Sequence, residues 1–160
     1  YAALIEAKTA SLMAGACEVG AVDAEASLRT ALRAYGRHLG MAFQITDDVL
    51  DYTESERTTG KPSGLDLKEH KITLPLLAAL PRMTAAERGR VEALMADPEP
   101  SDDAVSDVIG LVHGRGGVEA ARARAAEYVE QAARQLEALP GGAARDALAD
   151  CLTYAVERRS

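Results

Sequence analysis

The strongest constraint on this chain is its hydrophobic spacing. Apolar residues recur at three- and four-residue intervals throughout, and one such stretch runs unbroken from about Glu25 to Asp51 or Tyr52. Leu28, Leu32, Tyr35, Leu39, Phe43 and Leu50 lie along it. A helix of about 27 residues exceeds the usual range of roughly 8 to 20, and its apolar side has to be covered by other helices. Composition points the same way. There is no Trp and a single Phe, while the strong helix formers Ala, Leu, Glu and Arg abound. A β-sandwich or barrel is excluded, and an all-α bundle is expected. A chain of 160 residues can remove roughly 70% of its unfolded surface from water, enough for one domain over residues 1–160 without disulfide or metal staples.

The pattern predicts about seven helices. The first runs from about Ala2 to Gly20, with Leu4, Ile5, Leu12 and Val19 among its buried positions. After the long helix the periodicity vanishes between Thr53 and Asp66, the one long loop, and loops of that length in compact domains are usually functional or disordered. A short helix follows Thr73, with Pro75 in its first turn. Thr84 and Glu87 form a capping-box pair for a helix to about Met95, and Ser101 caps another to about His113, ended by Gly116-Gly117. The last two span about Val118 to Leu139 and Ala143 to Arg158, split by Pro140-Gly141-Gly142. The chain opens on Tyr1 inside a helical pattern, with neither initiator Met nor cap, so a preceding segment is expected.

The formal charge of -7 argues against nucleic acid or an anionic membrane face as main partner, since both need clustered Lys and Arg. Leu74 to Leu80, the most apolar stretch, is far shorter than the ~20 residues of a spanning helix. Cys17 and Cys151 form no C-x-x-C pair, which fits a reducing, cytoplasmic setting. His38, His70 and His113 share no ligand spacing and are expected at the surface or at helix ends. Arg122, Arg124 and Arg134 alternate with Glu119, Glu127, Glu130 and Glu137, the pattern of a salt-bridged solvent face.

Chemistry concentrates near the end of the long helix, in Phe43-Gln44-Ile45-Thr46-Asp47-Asp48-Val49-Leu50-Asp51. Gln44, Asp47, Asp48 and Asp51 are three or four residues apart, so they share a face, while Ile45, Val49 and Tyr52 point elsewhere. Carboxylates at a helix C-terminus oppose the macrodipole. A hard cation relieves this: Mg2+ takes oxygen ligands, keeps several waters, and commonly uses one or two carboxylates together with phosphate oxygens. An ordinary solvated acidic face has the same spacing. Gly60-Lys61, Asp66 and Lys71 follow, and Lys8-Thr9 on the first helix adds an ammonium and a hydroxyl that could serve a phosphate.

These residues resemble the trans-isoprenyl diphosphate synthases, or polyprenyl synthetases. The run FQITDDVLDYTESERTTGKPSGLDLKEHKITLPLL is similar to that family's second aspartate-rich motif and its following segment. Tyr1, Ile5, Lys8-Thr9-Ala10 and Leu12 resemble the helix that precedes it, and the stretch from Tyr154 to Arg159 a common family C-terminus. The resemblance implies the isoprenoid-synthase-type helical bundle and a prenyltransferase. Isopentenyl diphosphate would be joined head-to-tail to an allylic diphosphate in a Mg2+-dependent condensation. Asp47 would bind Mg2+ directly, with Asp48, Asp51 and Asp66 holding its shell or waters. Lys8 and Lys61 would grip the allylic diphosphate, with Lys71 nearby; Thr9 and Gln44 would lie beside the developing cation, and Phe43 would border the prenyl-acceptor pocket.

The family's first aspartate-rich motif with its paired arginines, and its earlier Gly-Lys and Arg segment, do not occur here. The resemblance therefore implies the C-terminal half of a synthase domain, inactive by itself. It also implies a homodimer or heterodimer, and leaves open a catalytically incomplete partner subunit of a heteromeric synthase. A class I terpene cyclase shares the fold, but its usual Asn, Ser/Thr, Glu metal pattern is not found.

Overall fold

The computed structural model describes residues 1–53 and 64–157. All regular structure among them is helical: α1 (Ala2–Ile5), a π-helical turn (Glu6–Ala10), α2 (Ser11–Gly20), α3 (Ala26–Thr53), α4 (Leu65–Lys68), α5 (Leu74–Ala79), a 3-10 turn (Leu80–Arg82), α6 (Ala85–Ala96), α7 (Asp102–Gly114), α8 (Gly117–Leu136) and α9 (Ala143–Glu157). They form two compact units, one built from Tyr1–Thr46 and the stretch from Ala123 onward, the other from Asp47–Arg122. Helix α3, 28 residues long, contributes to both. No helix among the described residues is long and apolar enough to cross a membrane.

In the first unit, Tyr35, Ala132, Leu136 and Leu152 form a buried cluster flanked by Cys17, Leu39 and Leu148. Its one polar atom is satisfied, for the Tyr35 hydroxyl donates to the Leu148 carbonyl at 2.8 Å. Against the other side of α3 the packing is backbone to backbone. A Cβ on Gly36 would stand 2.5 Å from the Met13 carbonyl oxygen, and one on Gly40 would stand 2.5 Å from Ala10 Cα.

That close approach overturns part of the expected burial. Leu4, Leu12 and Val19 are 66%, 77% and 70% exposed, and the first helix instead buries Ile5, Ala10 and Ala14. The step of five from Ile5 to Ala10 is the π turn. One extra residue in that turn shifts the buried stripe out of the phase that a uniform 3.6-residue period extrapolates.

The second unit buries Leu67, Leu76, Val91, Val105, Val108 and Val112. Local chemistry fixes its helix ends as the sequence predicts. Thr84 and Glu87 make the reciprocal capping box, the Ser101 hydroxyl accepts from the Ala104 amide at 3.2 Å, and Pro75 sits in the first turn of α5. Arg115 forks onto the Glu87 carboxylate at 2.6 and 2.8 Å. The expected loop to Asp66 ends earlier than predicted, because α4 already contains Asp66. Gly64 enters it at φ 75°, and a Cβ there would collide with Val105.

Arg124 pairs with Glu127 at 2.5 Å and Arg134 with Glu130 at 3.6 Å, the solvent-face pairing expected of α8. His70 and His113 are exposed as expected, but His38 is half-buried, its ring centroid 6.0 Å from that of Tyr128. Burial pushes its imidazole pKa down, and the adjacent Arg37 charge adds to the effect.

Candidate functional site

The sequence-predicted site residues among those described fall into two groups. In the second unit the carboxylates stand at the end of α3. Ile45, Val49 and Tyr52 are buried, which turns Asp47 outward and exposed, leaves Asp51 half-buried, and places Asp48 in the interior at 5% exposure. His113 donates from Nε2 to the Tyr52 carbonyl at 2.8 Å, satisfying one acceptor of the helix end.

Asp51 has a structural task that spacing does not reveal. Its Oδ1 accepts the Leu65 amide at 3.0 Å and its Oδ2 the Asp66 amide at 3.1 Å, while its main-chain carbonyl accepts the Gly64 amide at 2.9 Å. The acid thus tethers the start of α4, which carries Asp66, to the end of α3. Asp66 in turn lies 3.3 Å from the Lys71 ammonium, which also pairs with Glu69.

Burial raises the Asp51 pKa, with the charges of Asp66 and Asp48 acting in the same direction and the two amides opposing it. Negative charge is crowded here. Among the described residues no three His, Cys, Asp or Glu side chains close into a ready-made metal cage. The donor set still fits Mg2+, which uses few protein carboxylates and completes its octahedron with water and phosphate oxygen.

In the first unit, the π turn holds Lys8 and Thr9. The Ser11 amide donates to the Glu6 carbonyl, the i to i+5 bond that defines such a turn. Thr9 Oγ1 donates to Gln44 Oε1 at 2.8 Å, so these two sequence-predicted residues meet across 35 positions. Lys8 is exposed and Gln44 buried. Beneath the turn, Arg37 forks onto Glu6 at 2.6 and 2.8 Å, which holds the Glu6 carboxyl below its ordinary pKa.

Of the expected residues, the structure joins Thr9 with Gln44 in one group, with Lys8 beside Thr9 on the π turn, and Asp51, Asp66 and Lys71 in the other. Phe43 is half-buried on α3. Lys61 lies outside the described residues. Sequence reasoning missed Glu6 and Arg37, which are 31 positions apart with no motif linking them.

Comparison with known proteins bears on the family and the fold. Residues 1–112 match the family described as Polyprenyl synthetase. The chain is 36% identical over 160 residues to heptaprenyl diphosphate synthase component 2 of Geobacillus stearothermophilus, covering 99% of this chain and 49% of that protein. It is 37% identical to a short chain isoprenyl diphosphate synthase of Methanothermobacter thermautotrophicus, with the same coverages. A crystal structure of polyprenyl synthase from Caulobacter crescentus, complexed with calcium and isoprenyl diphosphate, superposes with a TM-score of 0.93 at 38% identity, over 100% of this chain and 49% of that one. The all-α fold is that of these synthases. The chain spans about half the length of the curated relatives it matches.

Proposed function

We propose that this chain, which belongs to the polyprenyl synthetase family, forms the C-terminal half of a domain that makes linear isoprenoid diphosphates by head-to-tail condensation of isopentenyl diphosphate with an allylic diphosphate. The observation that carries this reading is the run of Asp47, Asp48 and Asp51 on α3, with Asp51 tethering Asp66. Four acids brought this close are tolerable when a cation occupies them. A relative in the comparison binds calcium and isoprenyl diphosphate, which supports a divalent ion for this chain. Mg2+ is the ion we assign to Asp47, Asp48, Asp51 and Asp66.

In the proposed reaction the allylic C–O bond breaks with its electrons leaving on diphosphate. The isopentenyl double bond forms the new C–C bond, and a proton leaves the adjoining carbon. When bound, Mg2+ neutralises charge on the departing diphosphate. Lys8, Lys61 and Lys71 donate to phosphate oxygens. Thr9 commits its hydroxyl proton to Gln44, so its oxygen lone pairs are left to face the developing allylic cation. Phe43 borders the prenyl-acceptor pocket, and the protein works as a homodimer or heterodimer in the cytoplasm. Relatives named as a synthase component favour one second reading, a partner subunit of a heteromeric synthase.

Calorimetric titration of the purified chain with a bisphosphonate tests the reading. Binding should require Mg2+ and weaken at least about tenfold in Asp47→Asn, the loss of one charge-assisted ligand. Isopentenyl incorporation by the chain alone should stay at background. Binding indifferent to Mg2+ removes the diphosphate reading, and robust turnover by the chain alone refutes the half-domain reading.

A further inference from the structure

We propose that Arg37, through its fork onto Glu6, is a positioning residue that holds the π turn in the register placing Thr9 on Gln44. A π turn is rare in isolation and persists where its surroundings hold it. Relaxing this one to regular α-helix would rotate one flank by about 100° against the other, one residue's step. Thr9 and Glu6 could not then both keep their present partners.

The surroundings that hold it are a single stripe of α3. Arg37, Gly40 and Gln44, at spacings of three and four, meet Glu6, Ala10 and Thr9. Gly40 permits close approach but specifies no rotation, since an atom that is absent cannot select one. The Arg37 guanidinium does: both of its bonds fall on the first residue of the turn, and planar fork geometry tolerates little misalignment.

Both side chains of the pair are 41% exposed, so the pair adds little to global stability. Its consequence is geometric. Arg33 and Glu18 supply a control in the same unit, an ion pair between α3 and α2 that lies beyond the π turn. A mere tether between helices would make the two pairs equivalent; a register device makes only Arg37 matter at Lys8 and Thr9. The catalytic relevance of this register rests on the function proposed above.

The test combines amide hydrogen exchange at Lys8–Ser11 with Mg2+-dependent bisphosphonate titration of the whole chain. Arg37→Met should speed exchange at these amides about tenfold and weaken binding about fivefold, with an almost unchanged melting temperature. Arg33→Met should do neither. The swap of Glu6→Arg with Arg37→Glu should restore protection. Unchanged exchange in Arg37→Met, an equal effect of Arg33→Met, or a folded swap that restores nothing overturns the proposal. If the unaltered chain binds no bisphosphonate, the functional reading fails while the exchange arm still decides the role of the fork.

Discussion

Adding one carbon at Gly40 separates two opposed effects on the same helix. Alanine in a helix interior is favoured over glycine by about 1 kcal/mol, so Gly40→Ala would stabilise α3 if space allowed. The added Cβ would sit 2.5 Å from Ala10 Cα and 3.0 Å from Ala10 Cβ. Carbon atoms pack at roughly 3.5 to 4.0 Å, so Ala10 must retreat by about 1 Å, and its Cα belongs to a backbone that cannot rotate away. Overpacking costs about 1 to 3 kcal/mol, and against backbone that cannot rotate away it falls in the upper part of that range, about 2 to 3, leaving a net loss of about 1 to 2. At about 2 to 4 °C per kcal/mol for a chain of this size, the melting temperature should fall by several degrees. A 1 Å retreat along the Thr9–Gln44 line would also carry that 2.8 Å bond beyond hydrogen-bonding distance. Gly15→Ala is the matched control, because nothing lies within 4 Å of its Cβ position, and it should gain about 1 kcal/mol. Both are read by thermal unfolding followed by circular dichroism. A Gly40→Ala chain that melts at or above the parent, alongside a stabilised Gly15→Ala chain, would refute the backbone-contact reasoning.

Two further outcomes follow from the second unit. The Arg115 fork and the Thr84 amide hold the Glu87 pKa down to about 2 from an ordinary 4.5, so its stabilising contribution is complete above pH 4.5 and is lost as pH falls toward 2. Glu87→Gln should flatten the acid limb of a stability-versus-pH curve over that window, and an unchanged limb would exclude Glu87 as its source. Gly64→Ala puts a side chain at φ 75° and against Val105, which should cost about 2 kcal/mol or more. Its urea midpoint should drop clearly, and one equal to the parent's would show that the turn re-forms freely.

What could be read from the residues was whatever is written locally. Thr84 with Glu87, Ser101 and Pro75 mark helix starts because each cap acts within four positions, and α3 is legible because its apolar period is unbroken. The turn at Glu6–Ala10 has no comparable signature. Its side-chain partners stand on α3, 31 and 35 positions away, and missing it put Leu12 and Val19 on the wrong face. The acids of the candidate site were visible as a motif, but the amides held by Asp51 come from a segment 14 and 15 positions later, which no spacing rule brings near. Nothing local singles out Arg37. Charge and helical position describe it equally well whether or not a glutamate lies opposite.

A carboxylate offers about four acceptor directions, and at Asp51 two are taken by the amides of Leu65 and Asp66. The remaining lone pairs can serve an incoming ion without undoing that mooring. One side chain can be keystone and berth at once, so loss of Asp51 would damage masonry and harbour together, and a deficit in such a variant could not be ascribed to either alone.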